Sequence, residues 1–152
     1  MDEYVVIEID DLLNTGLNAL VMESKEEGFR FVERLINDYK TGTNKFNNFG
    51  EALYGVFNKT GSLVAVGGIN IDPFSKEPYI GRLRRFYVSK LYRRNGLGSL
   101  LVKKIIVEAK TYFNVLVLYT DTDEASKFYT AIGFSKGNIY QNSTHYLDLK
   151  CY

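Results

Sequence analysis

The chain is poor in the residues that build disulfides and metal sites. Its 152 residues include one cysteine, Cys151, and one histidine, His145. A single thiol cannot form an intrachain disulfide, and neither residue type is numerous enough for a zinc site built on several thiolates or imidazoles. We therefore expect no metal, and we expect the chemistry to come from carboxylates, tyrosines, arginines, lysines, hydroxyl groups or the backbone.

Net charge and long apolar runs are also lacking. Nineteen basic and eighteen acidic residues give a net charge of +1, so bulk charge does not hold the protein on nucleic acid or on a membrane. No apolar run approaches the roughly 18 residues of a spanning helix, and the acidic N-terminus has no basic signal-peptide region. We therefore expect no nucleic acid and no membrane as partners, a cytoplasmic location, and a single domain over residues 1–152.

Hydrophobic periodicity predicts alternating strands and helices. The predicted strands are residues 4–9, 52–58, 63–71, 82–88, 115–120, 134–141 and 144–152. The predicted helices run from Asp10 and Asp11 to Gly28, then over residues 29–40, 96–111 and 123–132. Residues 58–61 predict a hairpin turn. Because a helix links the strands at 82–88 and 115–120, we expect those strands to be parallel. The fold class is therefore α/β, with a mixed sheet flanked by helices.

Residues 82–99 form the segment richest in chemistry. Five of the seven arginines lie within residues 82–94, just before two glycines and a helix. Alternation along the predicted strand places Arg82 and Arg84 on one face and Arg85 on the other. A helix N-terminus attracts anions, and Gly96 and Gly98 allow an anion to approach the backbone closely. The segment therefore predicts a polyphosphate site. It lacks the Gly-Lys-Ser/Thr end of a P-loop, and Leu101 stands where a dinucleotide motif needs its third glycine.

Two motifs resemble those of the GCN5-related N-acetyltransferases, the GNAT family. Arg93, Gly96 and Gly98 are similar to that family's pyrophosphate loop, Gln/Arg-x-x-Gly-x-Gly/Ala. Residues 122–134 are similar to its later pattern, Asn-x-x-Ala-x-x-Phe-Tyr-x-x-x-Gly-Phe. The matching residues there are Ala125, Phe128, Tyr129, Gly133 and Phe134, with Thr122 in place of the asparagine. The resemblance runs from the first strand to about Phe134.

The resemblance implies a GNAT-like acyl-CoA N-acyltransferase fold and transfer of an acetyl group from acetyl-CoA to a primary amine by direct attack. It assigns Tyr129 as the general acid that protonates the departing thiolate. The residues that it places at the co-substrate are Phe86, Tyr87, Val88, Arg93, Arg94, Asn95, Gly96, Leu97, Gly98, Ser99, Thr122 and Ala125.

The base and the acceptor stay open at this point. Arg82 stands where many family members have a glutamate, so Asp72, Glu77, Asp121 or water could take the amine proton. Asp121 could instead cap the helix that follows it, and His145 is expected to be a structural strand residue. The acceptor is a small-molecule amine or a protein amine, bound by the first two helices and residues 41–50 and 72–79. A homodimer is left open, and the composition rich in Asn, Lys and Tyr suggests a bacterial source. The alternatives to an enzyme are a non-catalytic acetyl-CoA sensor and a nucleotide-binding domain.

Overall fold

The computed structural model describes residues 3–152, which contain one seven-stranded sheet and four α-helices. The strands are β1 (Tyr4–Glu8), β2 (Ala52–Asn58), β3 (Leu63–Ile71), β4 (Ile80–Val88), β5 (Val115–Leu118), β6 (Ser135–Lys136) and β7 (His145–Asp148). The helices are α1 (Asn18–Glu26), α2 (Phe31–Thr41), α3 (Leu97–Tyr112) and α4 (Asp123–Ile132). The strands lie side by side in the order β1-β2-β3-β4-β5-β7-β6.

One strand pair in this sheet is parallel. β4 and β5 run in the same direction and are joined through α3, whereas the other neighbouring strands pair antiparallel. The mixed sheet and the parallel pair expected from the sequence are therefore confirmed. Among residues 3–152, no helix combines the length and apolarity needed to cross a bilayer.

The helices cover the two faces of the sheet in pairs. α1 and α2 pack on one face, with Leu20, Val32 and Leu35 in their core. α3 and α4 pack on the other face. The buried residues of α3 are Leu97, Leu101, Val102, Ile105, Ile106 and Ala109. Each fully buried leucine or isoleucine contributes about 1.5–3 kcal/mol, so packing fixes α3 and its N-terminus firmly against the sheet.

The structure differs from the predicted elements at the two ends of the chain. Asp11 does cap a helix, but that helix is a short 3-10 turn over Leu12–Asn14, and α1 begins only at Asn18. Gly16, with φ of +79°, separates the two. The predicted strands over 134–141 and 144–152 are too long, because β6 has two residues and β7 has four. The segment between them is a loop in which Asn142 takes a left-handed conformation.

Candidate functional site

The second half of β4 has one open edge. β4 pairs with β5 only from Ile80 to Arg82, so the edge that faces β5 is unpaired from Leu83 onward. The Ser89 N–H donates to Val64 in β3. Because backbone groups alternate between the two edges of a strand, those of Phe86 and Val88 face the open side. The Val88 carbonyl accepts a bond of 2.9 Å from Arg93 Nε, whereas the Val88 N–H and both groups of Phe86 have no partner strand on the open side.

A bulge at Arg85 changes which side chains share a face of the sheet. Gly68 and Val66 of β3 pair with Arg84 and Tyr87, so β4 has one extra residue between them. Arg85 has φ of +58°, the left-handed conformation found at many bulges. Strict alternation predicted that Arg85 lies opposite Arg82 and Arg84. That prediction is wrong, because Arg85 faces α2, as Arg84 does, and its guanidinium lies 3.7 Å from Asp38.

The N-terminus of α3 presents free backbone donors beside this opening. Gly96 caps the helix with φ of +81° and supplies no side chain, and the first intrahelical bond runs from the Leu100 N–H to the Gly96 carbonyl. The N–H groups before Leu100 therefore have no partner within the helix. Leu97 has its side chain in the core, so only its backbone can serve a ligand. Asn95 is exposed, and Ser99 is half-buried.

Gly98 has a packing role in addition to the role that its motif suggests. A Cβ atom added there would lie 3.1 Å from Cζ of Phe128 in α4, whereas a Cβ at Gly96 would meet no atom within 4 Å. The missing side chain of Gly98 therefore allows α3 to pack closely on Phe128. Gly96 is the position at which an anion can approach the backbone without a side chain in the way.

Arg93 joins three parts of the site. Its terminal nitrogens bind both oxygens of Glu27 just beyond the end of α1, at 2.8 and 2.5 Å, while Nε holds the Val88 carbonyl. The Tyr87 hydroxyl lies 2.5 Å from Glu27 and from Glu23. Hydrogen bonds from Arg93 hold the pKa of Glu27 below its ordinary value, and burial with these carboxylates raises the pKa of Tyr87. Arg94, in contrast, is exposed and has no ion pair with a residue of the described chain.

Tyr129 lies in α4 with its ring among other aromatic rings. Its side chain is 7% exposed, and ring centroids of Phe128, Phe134 and Phe86 lie 5.1, 5.6 and 6.1 Å away. Within residues 3–152 no group hydrogen-bonds to its hydroxyl. Burial raises the pKa of Tyr129, so the phenol stays protonated at neutral pH. The contact with Phe86 places Tyr129 beside the open edge of β4.

Thr122 begins α4 by capping it. Its hydroxyl accepts the Ala125 N–H at 3.2 Å, which is the bond expected of an N-cap residue. The sequence offered Asp121 as a capping alternative, and that alternative is wrong because Asp121 is exposed and Thr122 makes the bond. Thr122 and Ala125 thus share the first turn of the helix that also carries Tyr129.

The three candidate bases lie in unlike surroundings. Asp72 is 2% exposed, and its Oδ1 accepts Arg82 Nε at 2.8 Å. Arg82 also donates to the carbonyls of Gln141 and Asn142, so it ties the β6–β7 loop to the end of β3. Glu77 and Asp121 are exposed. His145 is a buried strand residue bonded to Ser126 and Thr144, which is the structural role expected of it.

A polar cluster on the α2 side of the sheet was not foreseen from the sequence. Glu51 accepts from the Asn70 amide at 3.0 Å and from the Ile71 N–H at 2.9 Å. The Asn44 amide bonds to Asn70, and Arg84 reaches the same Asn70 oxygen at 3.4 Å. Polar side chains on the inward-facing positions of β3 and β4 were the available signal, and alternation alone could have grouped Asn70 with Arg84.

Comparisons with known proteins agree with the resemblance. The sequence model of a family described as the acetyltransferase (GNAT) domain matches residues 53–136. A solved structure from Exiguobacterium sp. 255-15, provisionally assigned as an acetyltransferase, is 30% identical, with a TM-score of 0.87 over 97% of this chain and 95% of its own. This match and the family model carry the assignment beyond the fold.

Two more distant structures support the fold alone. A GNAT family N-acetyltransferase from Escherichia coli, solved in complex with CoA, has a TM-score of 0.73 at 11% identity, over 98% of this chain and 83% of its own. Glucosamine-6-phosphate N-acetyltransferase from Arabidopsis thaliana has a TM-score of 0.67 at 16% identity, over 91% and 96%. The GNAT acyl-CoA N-acyltransferase fold expected from the sequence is confirmed.

Proposed function

Because this chain belongs to the GNAT family of acetyltransferases, we propose that it transfers an acetyl group from acetyl-CoA to a primary amine by direct attack. The observation that carries the proposal is the meeting of three features at one opening. These are the unpaired edge of β4, the N-terminus of α3, which has no side-chain cap, and Tyr129 in contact with Phe86.

The chain's own groups suit the co-substrate. The Val88 N–H and the backbone of Phe86 can pair with the amide groups of a pantetheine arm, as an added strand pairs with a sheet edge. The N–H groups of residues 94–99 and the positive end of α3 suit a pyrophosphate. Arg94 can add a charge from the surface. The side chains of Arg93 and Tyr87 act indirectly. They hold the Val88 carbonyl and the end of α1 in place.

In the proposed reaction, an N–C bond forms between the amine and the carbonyl carbon, and the C–S bond of the thioester breaks. The Tyr129 hydroxyl gives its proton to the departing thiolate. A phenol that is buried and kept protonated can do this, and its hydroxyl has no competing acceptor among residues 3–152.

A proton must also leave the amine. Asp72 suits this step least, because Arg82 holds its carboxylate in a buried pair. Glu77, Asp121 and water stay as the candidates. The acceptor is a small-molecule amine or a protein amine, which approaches from the side of α1, α2 and residues 41–50.

The test is a turnover assay on a panel of amines, with release of the CoA thiol and the mass of the acetylated product both measured. Wild-type protein should form the two products in equal amounts, and acetyl-CoA should raise the melting temperature more than ATP does. Stabilisation by acetyl-CoA without turnover on any amine would favour the alternative, a non-catalytic sensor. Stabilisation by ATP alone would overturn both and favour a nucleotide-binding domain.

A further inference from the structure

The α2 side of β4 holds more positive charge than its carboxylates satisfy. Arg82 is fully paired, because Asp72 lies 2.8 Å from its Nε and both side chains are almost completely buried. Arg84 makes no ion pair with a carboxylate of the described chain, and its nearest acceptor is the Asn70 amide oxygen at 3.4 Å. That distance is longer than the roughly 2.7–2.9 Å of a typical charge-assisted hydrogen bond.

Arg85 is also poorly satisfied. Its side chain is 14% exposed, and its one carboxylate partner, Asp38 in α2, lies 3.7 Å away. Its Nε is buried with no hydrogen-bond partner. The bulge at Arg85 costs conformational energy, since φ of +58° is sterically unfavourable for a residue other than glycine. It places the second guanidinium on the same face as the first.

The groups around this pair compensate only part of its positive charge. The charged and amide side chains that face it from β3, β4, α2 and the loop before β2 are Arg34, Asp38, Asn44, Glu51, Asn70, Asp72 and Arg82. Glu51 is committed to N–H donors of Asn48, Asn70 and Ile71. Burial lowers the pKa of Arg84 and of Arg85, and the charge of Arg84 lowers that of Arg85 further.

A half-buried guanidinium without an anion loses hydration that nothing in the protein replaces. Two of them on one face, with five N–H donors each, match the oxygens of a carboxylate or a phosphate. They lie on β4 between Arg82 and Phe86. This is the side of the sheet, next to α2 and residues 41–50, from which the acceptor approaches in the proposed function.

We infer that Arg84 and Arg85 bind an oxyanion of the acceptor, so that the preferred substrates are amines that also carry a carboxylate or a phosphate group. This inference rests on the proposed acetyl transfer and names the substrate class. The two guanidiniums hold the anionic end of the acceptor, and its amine then points toward the thioester at the open edge of β4.

The test compares amines that differ only in their anionic group. The two pairs are alanine with alaninamide and phosphoethanolamine with ethanolamine. For wild-type protein we expect kcat/KM at least about tenfold higher for the anionic member of one pair, because a charge-assisted contact contributes that much or more. The pair that shows the difference identifies the anion as carboxylate or phosphate.

Arg84→Gln and Arg85→Gln should each remove most of this preference, mainly through KM for the anionic amine. Arg30→Gln is the matched control, since it removes one positive charge at the start of α2 from a side chain that is 63% exposed. It should leave the preference unchanged. If Arg84→Gln does not fold, Arg84→Lys keeps the charge but loses the planar fork, and a preference reduced several-fold is expected.

A second measurement does not need turnover. Titration of the wild-type protein with inorganic phosphate or propionate, followed by the Nε–H NMR signals of arginine, should shift the signals of Arg84 and Arg85 and leave that of Arg30 in place. Acetyl transfer without any anionic preference, and with no such shift, would overturn the inference while the proposed function stands. Shifts at Arg84 and Arg85 in a protein that acetylates no amine would support the anion site and refute the proposed transfer.

Discussion

Tyr129→Phe should lower activity while stability is kept. The substitution keeps the ring, and its contacts with Phe86 and Phe128, and it removes only the hydroxyl. Because no group of residues 3–152 bonds to that hydroxyl, its removal breaks no hydrogen bond within the protein. We expect the free energy of unfolding to change by less than about 1 kcal/mol, or to rise.

The kcat of Tyr129→Phe should fall. General acids contribute roughly 10²- to 10⁴-fold, and a thiolate leaves more easily than an alkoxide, so we expect the low end. A loss of about 100-fold in kcat corresponds to about 2.7 kcal/mol of activation free energy. The affinity for acetyl-CoA should change little.

The assay is steady-state kinetics with an accepted amine, together with calorimetric binding of acetyl-CoA and urea denaturation. Tyr54→Phe is the matched control, because Tyr54 is 3% exposed on the same face of the sheet but lies in β2. It should keep kcat. A kcat of Tyr129→Phe within about twofold of wild type, where acetyl transfer limits the rate, would show Tyr129 to be a packing residue. Lost affinity with unchanged kcat would show that it only positions the sulfur.

Three further predictions concern the N-terminus of α3, the two arginines before it, and Glu27. Gly98→Val should lower the melting temperature and weaken acetyl-CoA binding by at least tenfold, about 1.4 kcal/mol, because its Cβ would crowd Phe128; calorimetry that finds unchanged affinity in a folded variant would contradict this. Arg94→Ala should weaken acetyl-CoA binding more at low salt than at high salt, whereas Arg93→Ala, which breaks a half-buried pair, should cause a loss that depends less on salt. The pKa of Glu27 is lower in the folded protein than its ordinary value of 4.5, so its ionised carboxylate stabilises the fold at higher pH. The protein loses this stabilisation as the pH falls below about 4.5 and the carboxylate takes up a proton. In denaturation from about pH 7 to about pH 3, Glu27→Gln should therefore flatten the acid limb, and an unchanged limb would contradict this assignment.

The elements that depend on local patterns could be predicted from the sequence. The bounds of β2, β3 and α4 match the structure, because alternation, a hairpin turn and the glycine at position 133 define them locally. The predicted strands over 134–141 and 144–152 include all of residues 137–144 except 142 and 143. The structure makes them a loop, which Arg82 holds from another strand, and such a tertiary contact has no local signal.

The candidate site shows the same division. The N-terminus of α3 and the position of Tyr129 follow from motifs that lie within one segment. The pairing of Arg93 with Glu27 joins residues 66 positions apart, and the bulge at Arg85 depends on how β3 and β4 align. Neither can be deduced from the periodicity of a single segment. The sequence suggested Arg93 as a residue at the co-substrate, and it gave no sign that three of its five N–H donors bind Glu27 and the Val88 carbonyl.

The claim at the centre of this account is that acetyl-CoA binds along the open edge of β4 and at the N-terminus of α3. Amide hydrogen exchange measured residue by residue, with and without acetyl-CoA, tests it most directly. The account predicts slower exchange at the N–H groups of Phe86, Val88 and residues 94–99, with no change in β1 and β2. Protection confined to other segments, or none while acetyl-CoA is bound, would contradict it.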